Sequence, residues 1–197
     1  ERGRMVFQDE SGLLDLPLPN LPGPHQIQNA GAALAALRHL GADSTACEAA
    51  LTRAEWPARM QRLRHGPLVE AAPSAELWLD GGHNPAGGQA IAATLARMPA
   101  RATHLIVGML NTKDVTGYLR PLAAGTTSLT AVSIPDEPNT LPAEATETAA
   151  RAAGFTATAQ AKTVLDAVRH LAKTTPGARI LICGSLYLAG QILRDNG

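Results

Sequence analysis

Beyond residue 60, apolar strand-like runs and helix-like segments take turns, and this alternation restricts the fold more than any other feature of the chain. Strand signals cover 60–63, 68–71, 76–80, 103–108, 128–134, 155–159 and 179–183, and helix signals cover 85–98, 115–123, 143–153, 163–174 and 186–194. The first two strands read as a hairpin around His65-Gly66-Pro67. The remainder, in β-α-β-α order, predicts an α/β fold: a Rossmann-like, mostly parallel sheet flanked by helices. Leu105-Ile106-Val107 and Ile180-Leu181-Ile182 are apolar at every residue, as strands covered on both faces require.

The first 55 residues have a different texture. Met5-Val6-Phe7 and Leu13-Leu14-Asp15-Leu16 flank the turn residues Asp9-Glu10-Ser11-Gly12 and predict a hairpin. Pro17, Pro19, Pro22 and Pro24 then bar regular structure. A helix is expected from Gln26 to Leu40, with Ile27, Ala30, Leu34, Leu37 and Leu40 on its inner face and Gly41 ending it. A second helix follows from Ser44, capped by Asp43 or Ser44. Trp56-Pro57-Ala58 breaks the pattern, so the expected domains are 1–55 and 56–197.

Composition narrows the function classes. With 45% hydrophobic but only 3% aromatic residues, the core must be built from Ala, Leu, Val and Ile packed closely. Seventeen basic residues balance seventeen acidic ones, without the cationic surplus that a general nucleic-acid binder uses to displace counterions. Cys47 and Cys183 lie far apart in no metal-like spacing, and Cys183 sits in an apolar run as a buried thiol would. That usage suits a reduced, cytoplasmic setting. No apolar stretch approaches the roughly 20 residues a membrane span needs. Glu1-Arg2-Gly3-Arg4 does not read as a signal peptide, and the start is expected to be a cut within a longer protein.

Ligands of parallel sheets gather beyond the carboxyl ends of the strands, and the unusual residues of this chain fall there. Trp78-Leu79-Asp80-Gly81-Gly82-His83-Asn84-Pro85 ends a strand with a carboxylate and turns on two glycines. It then places Asn84 as a cap and Pro85 at the first helical position. A carboxylate, an imidazole and the positive end of a helix are thereby presented together. Singly, Asp80, Asn84 and His83 have plain structural readings; the six-residue run favours function. Ile182-Cys183-Gly184-Ser185-Leu186-Tyr187 ends another strand, with Ser185 placed to cap a helix, to touch substrate, or both, and Tyr187 expected to pack that helix. In Gly108-Met109-Leu110-Asn111-Thr112-Lys113-Asp114, Lys113 reads as a solvated lysine before a capping Asp114.

The run Asp80-Gly81-Gly82-His83-Asn84-Pro85 resembles the Asp-Gly-Ala-His-Asn-Pro signature of folylpolyglutamate synthase/dihydrofolate synthase enzymes, within the Mur-type ligase superfamily. Pro22-Gly23-Pro24-His25-Gln26-Ile27-Gln28-Asn29-Ala30 resembles the family's Gly-x-His-Gln-x-x-Asn-Ala segment. Trp56-Pro57-Ala58-Arg59-Met60-Gln61 is similar to its Pro-Gly-Arg-x-Glu/Gln, with Ala58 in place of the usual Gly. The closing Gly184-Ser185-Leu186-Tyr187 matches the family's Gly-Ser-Leu-Tyr. The matches keep the family's order across most of the chain. The resemblance implies that 1–55 is the C-terminal tail (hairpin plus helices) of a central ATPase domain and 56–197 the Mur-ligase-type C-terminal, glutamate-ligase domain.

It further implies an ATP-dependent ligase that adds L-glutamate to folate or dihydropteroate through an acyl phosphate. In that scheme Asn29 serves the adenine site, Arg59 the ATP phosphates and Asp80 the nucleotide. His83 lies where glutamate meets the acyl phosphate, and Ser185 lies near the incoming glutamate. No Gly-x-x-x-x-Gly-Lys-Ser/Thr occurs, so ATP and Mg2+ are expected to be bound mainly by an N-terminal half carrying that loop, and the chain alone to be inactive. A monomer is expected, without nucleic-acid or membrane partners. Two other readings stand beside it: a Mur-type ligase of cell-wall precursors, and a freestanding Rossmann-like nucleotide-binding module.

Overall fold

The structure, a computed structural model, describes residues 3–196. The chain divides into two compact units, Glu1–Pro57 and Ala58–Gly197.

In the first unit, β1 (Arg4–Asp9) and β2 (Gly12–Pro17) form an antiparallel hairpin, with Asp9 opposite Gly12 and the Ser11 amide bonded to the Asp9 carboxylate. Helix α1 (His25–His39) and helix α2 (Ser44–Thr52) complete it. Asp43 is the cap of α2, accepting from the Ala46 amide at 2.7 Å. A small core of Met5, Leu16, Ala30, Leu34, Cys47 and Leu51 joins hairpin to helices. The expected stripe of α1 holds at Ala30, Leu34 and Leu37 but fails at its two ends. Gln26, Ala30 and Leu34 are buried, whereas Ile27 and Leu40 face outward. Gln26 can take that place because its amide is hydrogen-bonded to His25 and Asn29, which removes the penalty of burying it. Arg38 forks onto Asp9 at 2.9 and 3.0 Å and holds that carboxyl below its usual range.

The second unit is a three-layer sandwich. Its strands are β3 (Gln61–Arg62), β4 (Glu76–Leu79), β5 (Thr103–Val107), β6 (Ser128–Ala131), β7 (Thr158–Gln160) and β8 (Arg179–Cys183). They form one sheet of order β3-β4-β8-β5-β6-β7, antiparallel only at the β3–β4 edge. The helices are α3 (Pro67–Ala71), α4 (Pro85–Leu95), α5 (Val115–Ala123), α6 (Ala143–Ala153), α7 (Val164–Thr174) and α8 (Leu186–Asn196). Residues of α3, α7 and α8 pack with Leu77, Leu79, Ile106, Ile180 and Ile182 on one face. Residues of α4, α5 and α6 pack with Leu105, Val107, Leu129, Leu181 and Cys183 on the other. The period-two alternation of each strand sorts its side chains between these cores. Each fully buried Leu or Ile contributes roughly 1.5–3 kcal/mol.

Three segments depart from expectation. The predicted strand 68–71 and its hairpin are absent, and Gln61–Arg62 pairs with β4 instead. Residues 67–71 form α3 because Pro67 stands at its first position and Gly66 precedes it at φ 91°, a conformation open to glycine. The buried Asn196 side chain completes the turn, accepting from the Leu68 amide and donating to the His65 carbonyl. Second, β7 starts at Thr158 rather than at 155. Gly154 ends α6 in the left-handed conformation, and Phe155 folds back, its amide bonded to the Ala150 carbonyl. Third, β6 ends at Ala131, although Val132 and Ile134 stay buried as the chain leaves the sheet.

Polar groups pin the sheet's margins. Glu76, at the amino end of β4, meets Arg62, Arg101 and Arg179. Burial pushes its carboxyl up, but the hydrogen bond from Arg62 and the charges of Arg101 and Arg62 outweigh that and hold it down. Glu147 of α6 accepts from Arg151, Thr158 and Gln160 and so clips the edge strand β7 to its helix. Hydrogen bonds from Gln160, Arg151 and Thr158 lower its carboxyl from 4.5 to about 2. Among the described residues no helix is long and apolar enough to cross a membrane.

Two stability predictions result. Asn196→Ala strands the Leu68 amide and is expected to destabilise the second unit by about 1–3 kcal/mol in urea unfolding. The contribution of Glu147 is fully present above pH 4.5 and lost as pH falls toward 2, because its folded-state carboxyl is depressed. The stability difference between wild type and Glu147→Gln, followed by denaturant melts, should therefore shrink across that window.

Candidate functional site

The direction of the connections reverses at β8. From β4 the chain crosses to β5, then runs outward to β6 and β7, with α4, α5 and α6 on one face. It returns through α7, on the opposite face, to insert β8 between β4 and β5. The loops after the neighbouring strands β4 and β8 therefore part toward opposite faces, opening the crevice where doubly wound sheets take ligands. The helices starting there are α4, whose Asn84 cap accepts from the Gly87 amide at 2.8 Å, and α8. Their first-turn amides make this margin favourable to anions.

Four of the residues singled out from the sequence meet at this margin. Asp80 follows β4, and its own amide bonds to the Ile182 carbonyl of β8. Its side chain is only 6% exposed; one oxygen accepts from the Met60 amide at 2.8 Å and the other from the Gly82 amide at 2.7 Å. The carboxylate thus turns inward and ties the loop after β4 to the segment before β3.

Arg59 lies on that segment. The Ala58 carbonyl accepts from the Gly81 amide at 2.8 Å and from Arg59 Nη1 at 3.1 Å. Gln61 closes the arch by accepting from the Ala58 amide at 2.9 Å. Ala58 and Met60, on either side of Arg59, have φ of 55° and 42°. Each such L-residue costs on the order of 1–2 kcal/mol. The Ala found where the family has Gly is accordingly held in a backbone conformation that glycine adopts freely.

Gly81 lies close to two side chains. A Cβ there would lie 2.4 Å from Leu186 Cδ2 and 3.2 Å from Arg59 Nη1. The same crowding shows that Arg59, the β4 loop and the start of α8 share one place. His83, half-buried, turns back so that Nδ1 sits 2.9 Å from the Gly81 carbonyl. A carbonyl can only accept, so Nδ1 donates, and the tautomer that fits this contact has Nε2 as its acceptor.

Ser185 is buried and acts as a cap: its carbonyl receives the Ala189 amide and Oγ accepts from the Tyr187 amide at 3.0 Å. Tyr187 does not pack α8 as expected but is 58% exposed, because the inward phase of that helix belongs to Leu188, Ala189 and Ile192. Lys113 is exposed beside Asp114, the cap of α5.

Beneath the Asp80 loop lies a residue the motifs did not single out. Tyr118 of α5 is fully buried, and a Cβ on Gly82 would come within 3.6 Å of its ring. Its hydroxyl has no oxygen or nitrogen partner among the described residues and faces the Cys183 thiol. Burial pushes that thiol up to about 12, which makes Cys183 an inert core residue. No spacing signal marks Tyr118; only the packing reveals it.

Asn29 belongs to the other unit. On the first turn of α1 its side chain is exposed and donates to Gln26 Oε1 at 3.0 Å, within the His25–Gln26–Asn29 chain of polar contacts. Among the described residues no group of three His, Cys, Asp or Glu side chains is gathered that could hold a metal ion.

Known proteins share this fold. The chain is 25% identical over 199 residues to the folylpolyglutamate synthase of Lacticaseibacillus casei, covering 96% of this chain and 42% of that protein. It is 36% identical over 116 residues to the dihydrofolate synthase/folylpolyglutamate synthase of Mycobacterium tuberculosis, covering 55% of this chain and 22% of that one. Among solved structures, Escherichia coli FolC in complex with DHPP and ADP superposes with a TM-score of 0.78 at 25% identity, over 96% of this chain and 42% of that chain. Mycobacterium tuberculosis folylpolyglutamate synthase complexed with ADP and AMPPCP gives 0.75 at 31% identity, over 91% and 41%. The chain therefore spans less than half the length of these relatives. Residues 58–186, which carry Arg59, Asp80, His83 and Ser185, match the glutamate ligase domain of Mur ligases, and the chain belongs to that family.

Proposed function

We propose that this chain is the C-terminal portion of a cytoplasmic, ATP-dependent amide-forming ligase that adds L-glutamate to folate or dihydropteroate. Residues 1–55 would be the end of its ATPase domain and 56–197 its glutamate-ligase domain. The observation that carries the reading is the meeting of Arg59, His83 and Ser185 beside two helix N-termini at the sheet's switch point. Arg59 and the two helix N-termini give that surface donors suited to phosphate and carboxylate groups.

The proposed chemistry is phosphoryl transfer from ATP to a carboxylate, followed by attack of the glutamate amine. Mg2+, when bound, would neutralise phosphate charge; among the described residues no triad of acidic, His or Cys ligands gathers, and its ligands are assigned to the N-terminal half. This chain's residues act by position and charge. Arg59 uses Nη1 on the Ala58 carbonyl, while Nε and Nη2 have no hydrogen bond to the described residues and are offered to phosphate oxygens. His83 presents the Nε2 lone pair as a hydrogen-bond acceptor or proton acceptor near the reacting groups. Ser185 offers its hydroxyl proton to the incoming glutamate carboxylate. Asn29 has an amide able both to donate to and accept from an adenine edge.

The isolated 197-residue chain should show no ATP- and glutamate-dependent ligation of folate or dihydropteroate, whereas a longer protein carrying it behind a phosphate loop should turn over. Turnover by the isolated chain at the longer protein's rate overturns the division of labour. In the longer protein, Arg59→Ala should lower kcat/KM for ATP by about 100-fold. Unchanged ATP kinetics would remove Arg59 from the site.

A further inference from the structure

We infer that Asp80 and Gln61 are positioning residues, which hold the strained arch 58–60 so that Arg59 is presented at the crevice. The inference rests on the ligase reading above and gives Asp80 a role other than contact with the nucleotide.

Three observations converge on it. Two of the three non-glycine residues with positive φ among the described residues, Ala58 and Met60, flank Arg59. Backbone strain of this kind persists only where surrounding bonds over-determine it, and it gathers at functional sites. Those bonds are present on both sides of the arginine: Gln61 Oε1 takes the Ala58 amide at 2.9 Å and Asp80 Oδ2 takes the Met60 amide at 2.8 Å. Finally, the Asp80 carboxylate is buried, its second oxygen is engaged by the Gly82 amide, and the Ala58 carbonyl binds the Gly81 amide in return. Burying a carboxylate is costly unless it is hydrogen-bonded, and here the bond from Gly82 shapes its own loop while the bond from Met60 joins that loop to the one before β3. One of these loops carries Arg59 and the other His83. A small displacement of either reacting neighbour can cost a large factor in rate, so the joint matters to catalysis without touching substrate.

A double-mutant cycle in the full-length ligase tests this. Asp80→Asn and Gln61→Ala should each lower kcat/KM for ATP, by about 10- to 100-fold for Asp80→Asn, with Gln61→Glu, which keeps an acceptor, within about threefold of wild type. Repeated in the Arg59→Ala background, Asp80→Asn and Gln61→Ala should each change the residual activity by less than about twofold, because residues acting through one another are not additive. Equal penalties in both backgrounds would show direct nucleotide contact by Asp80 and overturn the inference.

Amide hydrogen exchange supplies a readout independent of turnover. Asp80→Ala, which removes both acceptor oxygens, should speed exchange at Met60 and Gly82, and Gln61→Ala at Ala58, with or without Arg59. Unchanged exchange at those amides refutes the joint. If an Asp80 variant fails to fold, the Gln61 arm decides the matter alone. Absence of ligation by the unmutated enzyme would instead sink the ligase reading, leaving the exchange data to decide the joint.

Discussion

The insertion of β8 between β4 and β5 is the constraint on which the second unit depends. All five residues of this strand are buried, and it bonds to a parallel neighbour on each side. Ile180 and Ile182 enter one core while Leu181 and Cys183 enter the other, so one strand closes both apolar layers. Because it arrives last, from the far edge by way of α7, its connection lies on the face opposite that of β4–α4–β5. The crevice between the β4 and β8 loops follows from that path, since parallel crossovers keep one hand and a reversal of direction moves the helix to the other face.

Within the crevice the protein brings backbone close to backbone rather than building a walled pocket. Gly81 lies against Leu186 and Arg59, Gly82 lies above Ile91 and Tyr118, and Asp80 bonds two loops at once. The positive φ values of Ala58 and Met60 are local strain sustained by these surrounding bonds. The charged cluster at the opposite margin, where Glu76 meets three arginines, ties the amino ends of the strands together and serves the sheet. Arg59, His83 and the first turns of α4 and α8 lie at the other margin, where the proposed chemistry is placed.

Elements with a strong period were legible in the sequence. Helices 115–123 and 143–153 and strand 179–183 occur at the expected residues, because an amphipathic or wholly apolar pattern admits one placement. Segment 67–71 misled: Leu68 and Val69 suit a strand, but Pro67, Gly66 and Asn196, 128 residues beyond Leu68, make it a turn of helix. The start of β7 was lost to the left-handed Gly154 and the backfolded Phe155. Tyr187 and Ile27 were placed inward by local spacing, and packing turned both outward.

For the site, sequence alone determined which residue types stand at which strand ends: Arg59 after the break, Asp80 through Pro85 after one strand, Ser185 after another. Those are properties of order and spacing, and short motifs carry them. Only the tertiary structure decided what each side chain does there. It turned Asp80 inward onto the Met60 and Gly82 amides, set the His83 tautomer through the Gly81 carbonyl, and placed Tyr118 beneath the loop. These roles depend on which backbone amides and carbonyls come within hydrogen-bonding distance across a sheet whose strands are out of sequence order, and no local pattern encodes that.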